Sequence, residues 1–95
     1  MTEHIDIQVQ LFSILRACLP PDAERGQATI TLPAGATLAD LATHLGIDRR
    51  LGFDAADVTR RAGWQVMISG QYEPDMARPL ADGDEVRIFP PVAGG

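Results

Sequence analysis

Alternating apolar and polar residues predict two β-strands in the first third of the chain. Apolar residues take every second position from Ile5 to Leu11, with Asp and Gln between them. Because successive side chains of a strand point to opposite faces, this segment is typical of a strand with one buried face. Residues 28–32 alternate in the same way and contain β-branched side chains. We expect the two strands to pair as an antiparallel hairpin, with a long irregular loop broken by prolines and Gly26.

The pattern then changes to the period of a helix. Thr37 is suited to cap the helix N-terminus, with Asp40 as the acidic partner of a capping box. One apolar stripe follows at helical spacing, made by Leu38, Leu41, Ala42 and Leu45. Gly46 is placed to end this main helix in a left-handed conformation. Residues 54–61 predict a short second helix, with acidic residues near its start and arginines near its end, as the helix dipole favours.

The second half of the chain predicts three further strands. Residues 64–68 form one, a Ser69-Gly70 turn leads into a short strand at 71–73, and residues 86–89 form the last. Serine adopts left-handed geometry less readily than asparagine, so the type of the Ser69-Gly70 turn stays open. This order predicts an α+β fold, a mixed sheet wrapped over one main helix. First and last strands that neighbour each other at its centre must run parallel.

The C-terminal residues carry the candidate chemistry. Pro90 and Pro91 lack backbone donors and end any strand pairing, so residues 92–95 are expected to leave the fold as an extended arm. Two glycines make poor packing residues because ordering them costs entropy, but they suit an arm that enters a channel too narrow for a Cβ atom. The carboxylate of Gly95 is ionised at neutral pH and is an unreactive acyl donor until it receives a leaving group.

Three segments carry a resemblance to the MoaD/ThiS family of ubiquitin-like sulfur carriers. Residues 79–95 read PLADGDEVRIFPPVAGG and resemble the C-terminus of that family, in particular the small, sulfur-carrier subunits of molybdopterin synthase. Residues 9–16, VQLFSILR, resemble its first strand and the following turn, and residues 37–41 lie where the family places its helix. The resemblance implies a β-grasp (ubiquitin-like) fold, as a single domain over residues 1–95 in which 91–95 form a flexible tail.

The resemblance also implies a chemistry. An adenylyltransferase of the ubiquitin-activating type uses ATP to adenylate Gly95, and a sulfur donor (a sulfurtransferase) converts the adenylate to a thiocarboxylate. The molybdopterin synthase large subunit then receives the arm and the sulfur forms the molybdopterin dithiolene. In this scheme Val92, Ala93 and Gly94 thread the partner's channel. The chain would be a non-catalytic subunit with no catalytic residues of its own, no bound cofactor and no metal.

Alternatives to molybdopterin stay open at this point. The sulfur acceptor could instead be thiazole, cysteine, a tungsten pterin or a specialised sulfur metabolite. A ubiquitin-like protein modifier that forms isopeptide bonds through its C-terminus is a different class with the same fold, and so is an interaction module with an inert tail. The chain contains no lysine, so it cannot form lysine-linked chains on its own side chains. The stretch 48–63 is expected to be longer than in compact members of the family, and this length could mark a different partner or acceptor.

Composition restricts the partners further. A formal net charge of −5 disfavours nucleic-acid binding and favours basic surfaces on partner proteins, although solubility alone also accounts for it. One cysteine excludes an iron–sulfur cluster, and an acidic N-terminus without a long apolar run predicts a cytoplasmic protein with no membrane contact.

Partner docking is predicted at four residues near the two central strand ends: Phe12, Phe89, Pro90 and Pro91.

The remaining reactive side chains are expected to be structural. Cys18 is predicted to be a buried structural cysteine because it follows an apolar run. His4 and His44 are isolated and have no ligand spacing. The pairs at 49–50 and 60–61 are arginines that we expect to be solvated or neutralised by neighbouring aspartates, with an anionic-substrate role as the less favoured alternative.

Overall fold

A computed structural model describes residues 3–91. Its strands are β1 (His4–Leu11), β2 (Gln27–Pro33), β3 (Gln65–Ile68), β4 (Gln71–Tyr72) and β5 (Glu85–Phe89). Its helices are α1 (Leu38–Leu45) and α2 (Ile47–Leu51), with 3₁₀ turns at Ser13–Cys18 and Ala55–Asp57. Five strands and two short helices give the mixed α+β architecture that the sequence predicts.

The strands form one sheet in the order β2-β1-β5-β3-β4. β1 and β2 pair antiparallel over seven residue pairs, from His4↔Pro33 to Gln10↔Gln27, which confirms the predicted hairpin. β5 lies between β1 and β3, parallel to the first and antiparallel to the second. The parallel pairing of the first and last strands at the centre of the sheet is therefore confirmed.

The inward faces of the strands form the core together with α1. Along β1 the burial alternates at every residue, and Ile7 and Leu11 are fully buried. Leu38 and Leu41 of α1 are each 1% exposed against this face. A buried leucine side chain contributes on the order of 2 kcal/mol, so the apolar stripe fixes the helix on the sheet. The outward face of the sheet is left uncovered by any described helix.

Both ends of α1 have the predicted caps. The Thr37 hydroxyl accepts from the Asp40 backbone N–H at 3.2 Å, and the Asp40 carboxylate accepts from the Thr37 N–H at 2.9 Å. This reciprocal capping box satisfies two N–H groups that the helix itself cannot pair. Gly46 has a φ of +78° and its N–H bonds to carbonyls of the last turn, which ends the helix as expected.

The predicted helix over 54–61 is wrong. A second helix begins directly after Gly46 instead, with Ile47 fully buried at its start, and Ala55–Asp57 form only a 3₁₀ turn. Beyond that turn, tertiary contacts hold the backbone. The Val58 carbonyl accepts from the Trp64 N–H at 3.0 Å, and both of these side chains are buried. In place of the predicted helix, this stretch is a compact connection whose buried residues are Ile47, Val58 and Trp64.

The hairpin between β3 and β4 has a type I′ turn despite its serine. Ser69 has a φ of +48° and Gly70 a φ of +87°, both positive as this turn requires. The Ser69 N–H donates to the Glu85 carbonyl at 2.7 Å. Pairing with the neighbouring strand therefore holds Ser69 in the left-handed conformation.

Candidate functional site

The chain leaves the sheet at the end of β5. The last described pair of the β3–β5 ladder is Gln65↔Phe89, and Pro90 and Pro91 have no N–H with which to continue it. Pro91 lies beside the connection that precedes β3, since a Cβ atom built on Gly63 would be 3.6 Å from the Pro91 Cβ. Pro91, which we call the root of the predicted arm, therefore packs against the backbone of that connection.

The residues of the arm itself lie outside the described residues. These are Val92, Ala93 and Gly94, which we expect to thread a partner channel, and Gly95, which we expect to carry sulfur. Their roles stay predictions, and so does the single-domain assignment over 1–95.

An aromatic pair lies next to the root of the arm. The Phe12 and Phe89 rings stack with their centroids 4.6 Å apart and an angle of 14° between their planes. The register explains the contact, because Leu11↔Ile88 is the last parallel pair and the next residue of each strand projects from the outward face. Such a pair contributes about 0.5–1.5 kcal/mol beyond its buried area. Both rings are half-buried and together form an apolar patch beside the predicted arm, while its role in docking stays a prediction.

Neighbouring residues extend this patch across the sheet. Strand pairing sets Gln10, Arg87, Met67 and Tyr72 in one row across four strands on the outward face. Tyr72 is 59% exposed. Together the aromatic pair, Pro90 and this row form what we call the open face. The sequence places Arg87 and Phe89 on one side of the last strand, but the cross-strand members of the row follow only from the register.

A shallow recess lies on the open face beside β5. It has a volume of about 290 Å³ and includes Gln8, Gln10, Gln27, Glu85 and Arg87 in its lining. Glu85 and Arg87 are exposed on the same strand. Among residues 3–91 the one ion pair joins Arg78 to Glu73 at 3.5 Å, so neither charge on this strand has an ionic partner among the described side chains.

The four arginines of the 47–63 connection are also exposed. Arg49, Arg50, Arg60 and Arg61 form no ion pair with the nearby aspartates in the described part of the chain. Solvation is therefore their observed state, as one of the two expected outcomes. The connection itself is held firmly, since the Thr59 hydroxyl donates to the Pro74 carbonyl at 2.6 Å.

Cys18 is half-buried and packs against the core, so it is less enclosed than predicted. Burial raises the pKa of the Cys18 thiol, and the nearby positive charge of Arg50 opposes this only in part. A thiol with a raised pKa holds little thiolate at neutral pH and is a poor nucleophile. His4 and His44 are exposed, and no group of three potential metal ligands occurs within residues 3–91.

Comparison with known proteins identifies the family. The model of the ThiS family matches residues 9–95, so the chain belongs to this family. Its members are small ubiquitin-like carrier or modifier proteins that are generally non-catalytic. No curated protein sequence matches the chain.

Solved structures agree on the β-grasp fold. The HVO 2177 protein of Haloferax volcanii is 25% identical, with 97% of this chain and 88% of that one covered and a TM-score of 0.72. The small archaeal modifier protein 1 of the same organism is 23% identical over 93% of this chain and 99% of its own, with a TM-score of 0.62. One chain of the complex of subunits 1 and 2 of the molybdopterin-converting factor of Helicobacter pylori is 19% identical. The match covers 96% of this chain and 100% of that one, with a TM-score of 0.50.

Within residues 3–91, no helix has both the length and the apolar character needed to cross a membrane.

Proposed function

We propose that this ThiS-family chain is a sulfur carrier whose Gly95 carboxylate becomes a thiocarboxylate, and that it serves as the small subunit of a molybdopterin synthase. The observation that carries the proposal is the family match, which continues through the Pro-Pro-Val-Ala-Gly-Gly segment to Gly95. The seating of Pro91 against Gly63 supports it, because an anchored root gives an extended arm a defined starting point.

The proposed chemistry has two steps. An oxygen of the Gly95 carboxylate attacks the α-phosphorus of ATP in a partner adenylyltransferase, which releases pyrophosphate and leaves an acyl-adenylate. The terminal sulfur of a sulfurtransferase persulfide then attacks the acyl carbon and displaces AMP, and a thiol reductant cleaves the S–S bond of the resulting acyl disulfide, so that one oxygen of the carboxylate is replaced by sulfur. The adenylate is needed because a free carboxylate has no adequate leaving group. The carrier supplies the acyl group, and its partners supply the catalysis.

The described part of the chain has a separate task, which is to bring the arm to its partners. The aromatic pair and Pro90 lie directly beside the root of the arm, so a protein that docks on them meets the arm at the same time. In the proposed complex the large subunit covers this area while the arm enters its active site. That subunits 1 and 2 of the molybdopterin-converting factor of Helicobacter pylori form a complex supports the assembly of two subunits, and the covered surface is our proposal.

Intact-mass spectrometry tests the proposal. The chain is incubated with the activating enzyme from its own host, ATP and a sulfur source, and the expected product has one oxygen replaced by one sulfur at Gly95. A variant that lacks Gly95 and a variant with one residue added after it should both stay unmodified while keeping the unfolding curve of the wild type. Absence of the exchange in the wild-type chain, under conditions where the enzyme activates another carrier, would remove the proposal.

The acceptor is tested separately. Purification of the thiocarboxylated chain with its bound large subunit, followed by addition of a cyclic pterin precursor, is expected to yield the dithiolene. Transfer to thiazole, cysteine or a tungsten pterin instead would keep the carrier chemistry and replace the acceptor. Covalent adducts of higher mass in a lysate, joined through Gly95, would instead identify a protein modifier.

A further inference from the structure

The positively charged side chains near the root of the arm are arginines. The chain has eight basic residues, and none of them is a lysine. Arg61 is two residues from Gly63, against which Pro91 packs. Arg87 is four residues before Pro91, and four residues span at most about 14 Å. Both arginine side chains are exposed, so this end of the molecule presents positive charge close to the arm.

The number of residues after Pro91 limits how far the terminal acyl group can reach. Residues 92–95 span at most about 14 Å, and a lysine side chain adds about 6 Å, which gives a radius of about 20 Å around Pro91. Both arginines lie inside this radius. His4 lies outside it, because seven residue steps of β1 place it about 23 Å from Leu11. β5 pairs in parallel with that end of β1 and leads still further from His4.

An activated acyl group reacts differently with the two kinds of basic side chain. A neutral lysine amine would attack the acyl carbon of a Gly95 adenylate, so that a C–N bond replaces the acyl–oxygen bond, AMP leaves and the proton passes to water. The arginine guanidinium stays protonated in the physiological range and cannot attack in this way. The one thiol, that of Cys18, is half-buried with a raised pKa and holds little thiolate.

We propose that the fold prevents self-acylation: arginines supply the positive charge within reach of the arm, and no side chain of residues 3–91 captures the activated Gly95 before an external sulfur nucleophile does. This inference rests on the proposed function and adds its selectivity, because an amide to its own side chain would remove a carrier from sulfur transfer. A lysine within reach would have an effective concentration on the order of mM, whereas one that the arm cannot span would have nearly none.

Single lysine substitutions test this reach without a partner enzyme. The full-length wild type, Arg61→Lys, Arg87→Lys and His4→Lys are prepared as Gly95 aryl thioesters from intein fusions, and each is incubated at low concentration in mildly alkaline buffer. We expect Arg61→Lys and Arg87→Lys to form a product that is one water lighter than the free acid. Its yield should be at least about tenfold higher than from the other two proteins, which should only hydrolyse. Tandem mass spectrometry of a digest locates the new amide.

His4→Lys is the matched control. Its side chain is exposed, as those of the two arginines are, and only its distance from the arm differs. In guanidinium chloride the fold no longer maintains that distance, so the His4→Lys product should then appear. Urea unfolding followed by the fluorescence of the buried Trp64 should give the same midpoint for all four proteins.

Two results would overturn the inference and leave the carrier chemistry standing. One is a product that lacks one water in the folded wild type, formed through any of its own groups. The other is an equal yield, including none, from the near and the distant lysines in the folded state. Failure of the wild type to exchange oxygen for sulfur at Gly95 with its activating enzyme would overturn the proposed function, and this inference with it.

Discussion

Gly26 lies against the end of β1 at Leu11, and its replacement by alanine tests how closely the chain packs there. Its φ is +74°, and a Cβ atom there would lie 2.8 Å from the Leu11 carbonyl oxygen and 3.1 Å from Arg16 Nε. The arginine can rotate away, but the carbonyl belongs to a central strand. That strand residue also donates its N–H to the Gly26 carbonyl at 2.9 Å. Adding one methyl group therefore puts a residue with a Cβ atom at an unfavourable φ, creates a steric clash and disturbs a hydrogen bond.

The expected cost follows from these parts. A left-handed non-glycine residue costs about 1–2 kcal/mol. The unfolded alanine variant has less conformational entropy than the unfolded wild type, which offsets about 0.4–1 kcal/mol of this cost. Relieving the contact with the backbone oxygen weakens a hydrogen bond worth about 1 kcal/mol and shifts the strand, which costs about 1 kcal/mol more. We expect Gly26→Ala to lower the free energy of unfolding by about 2–3 kcal/mol in total.

Gly35→Ala is the matched control. Gly35 has a φ of +89° and nothing within 4 Å of its built Cβ, so only the backbone strain remains and the cost should be about 1 kcal/mol. Urea titrations of both variants, followed by Trp64 fluorescence and fitted with a common slope, measure the difference. Equal costs for the two variants would show that the contact with Leu11 is relieved freely and would refute the reasoning.

Four further predictions follow from other contacts. Thr37→Ala removes one bond of the capping box and should destabilise the chain by about 1 kcal/mol in the same titration, with Thr43→Ala, exposed on the same helix, near neutral. Ser69→Asn suits the type I′ turn better and should stabilise it by about 0.5 kcal/mol; a loss instead would mean that the Ser69 hydroxyl matters more than its φ. A double-mutant cycle of Phe12→Leu and Phe89→Leu should give a coupling energy of about 0.5–1.5 kcal/mol, and additive effects would contradict the stacking. Because the pKa of the Cys18 thiol is raised in the folded state, stability should fall as the pH rises above the ordinary thiol value, and a Cys18→Ser variant should lose this alkaline dependence.

Local signals predict the part of the fold where local and tertiary preferences agree. The alternation along β1 and the Thr37–Asp40 capping box each specify one conformation, and the structure has both. The helix predicted at 54–61 rests on charge order alone, with an acid first and arginines last. The same order occurs in α2, so it does not identify which segment is helical. Burial of Ile47 decides between the two segments, and burial is a property of the finished fold.

The same division applies to the site. Pro90, Pro91 and the final glycines stand out in the sequence because each restricts or frees the backbone. Arg87 does not stand out, since its position among Gln10, Met67 and Tyr72 depends on how four strands are aligned. A one-residue change of register would turn it to the other face of the sheet.

The parallel contact between β1 and β5 has a consequence for synthesis. The central strand, β5, is the last of the five described strands to leave the ribosome, so β1 and β3 cannot complete their pairing before it emerges. A nascent chain interrupted before residue 85 would lack both the middle of its sheet and everything that follows. The sheet is therefore completed only after β5 has been synthesised.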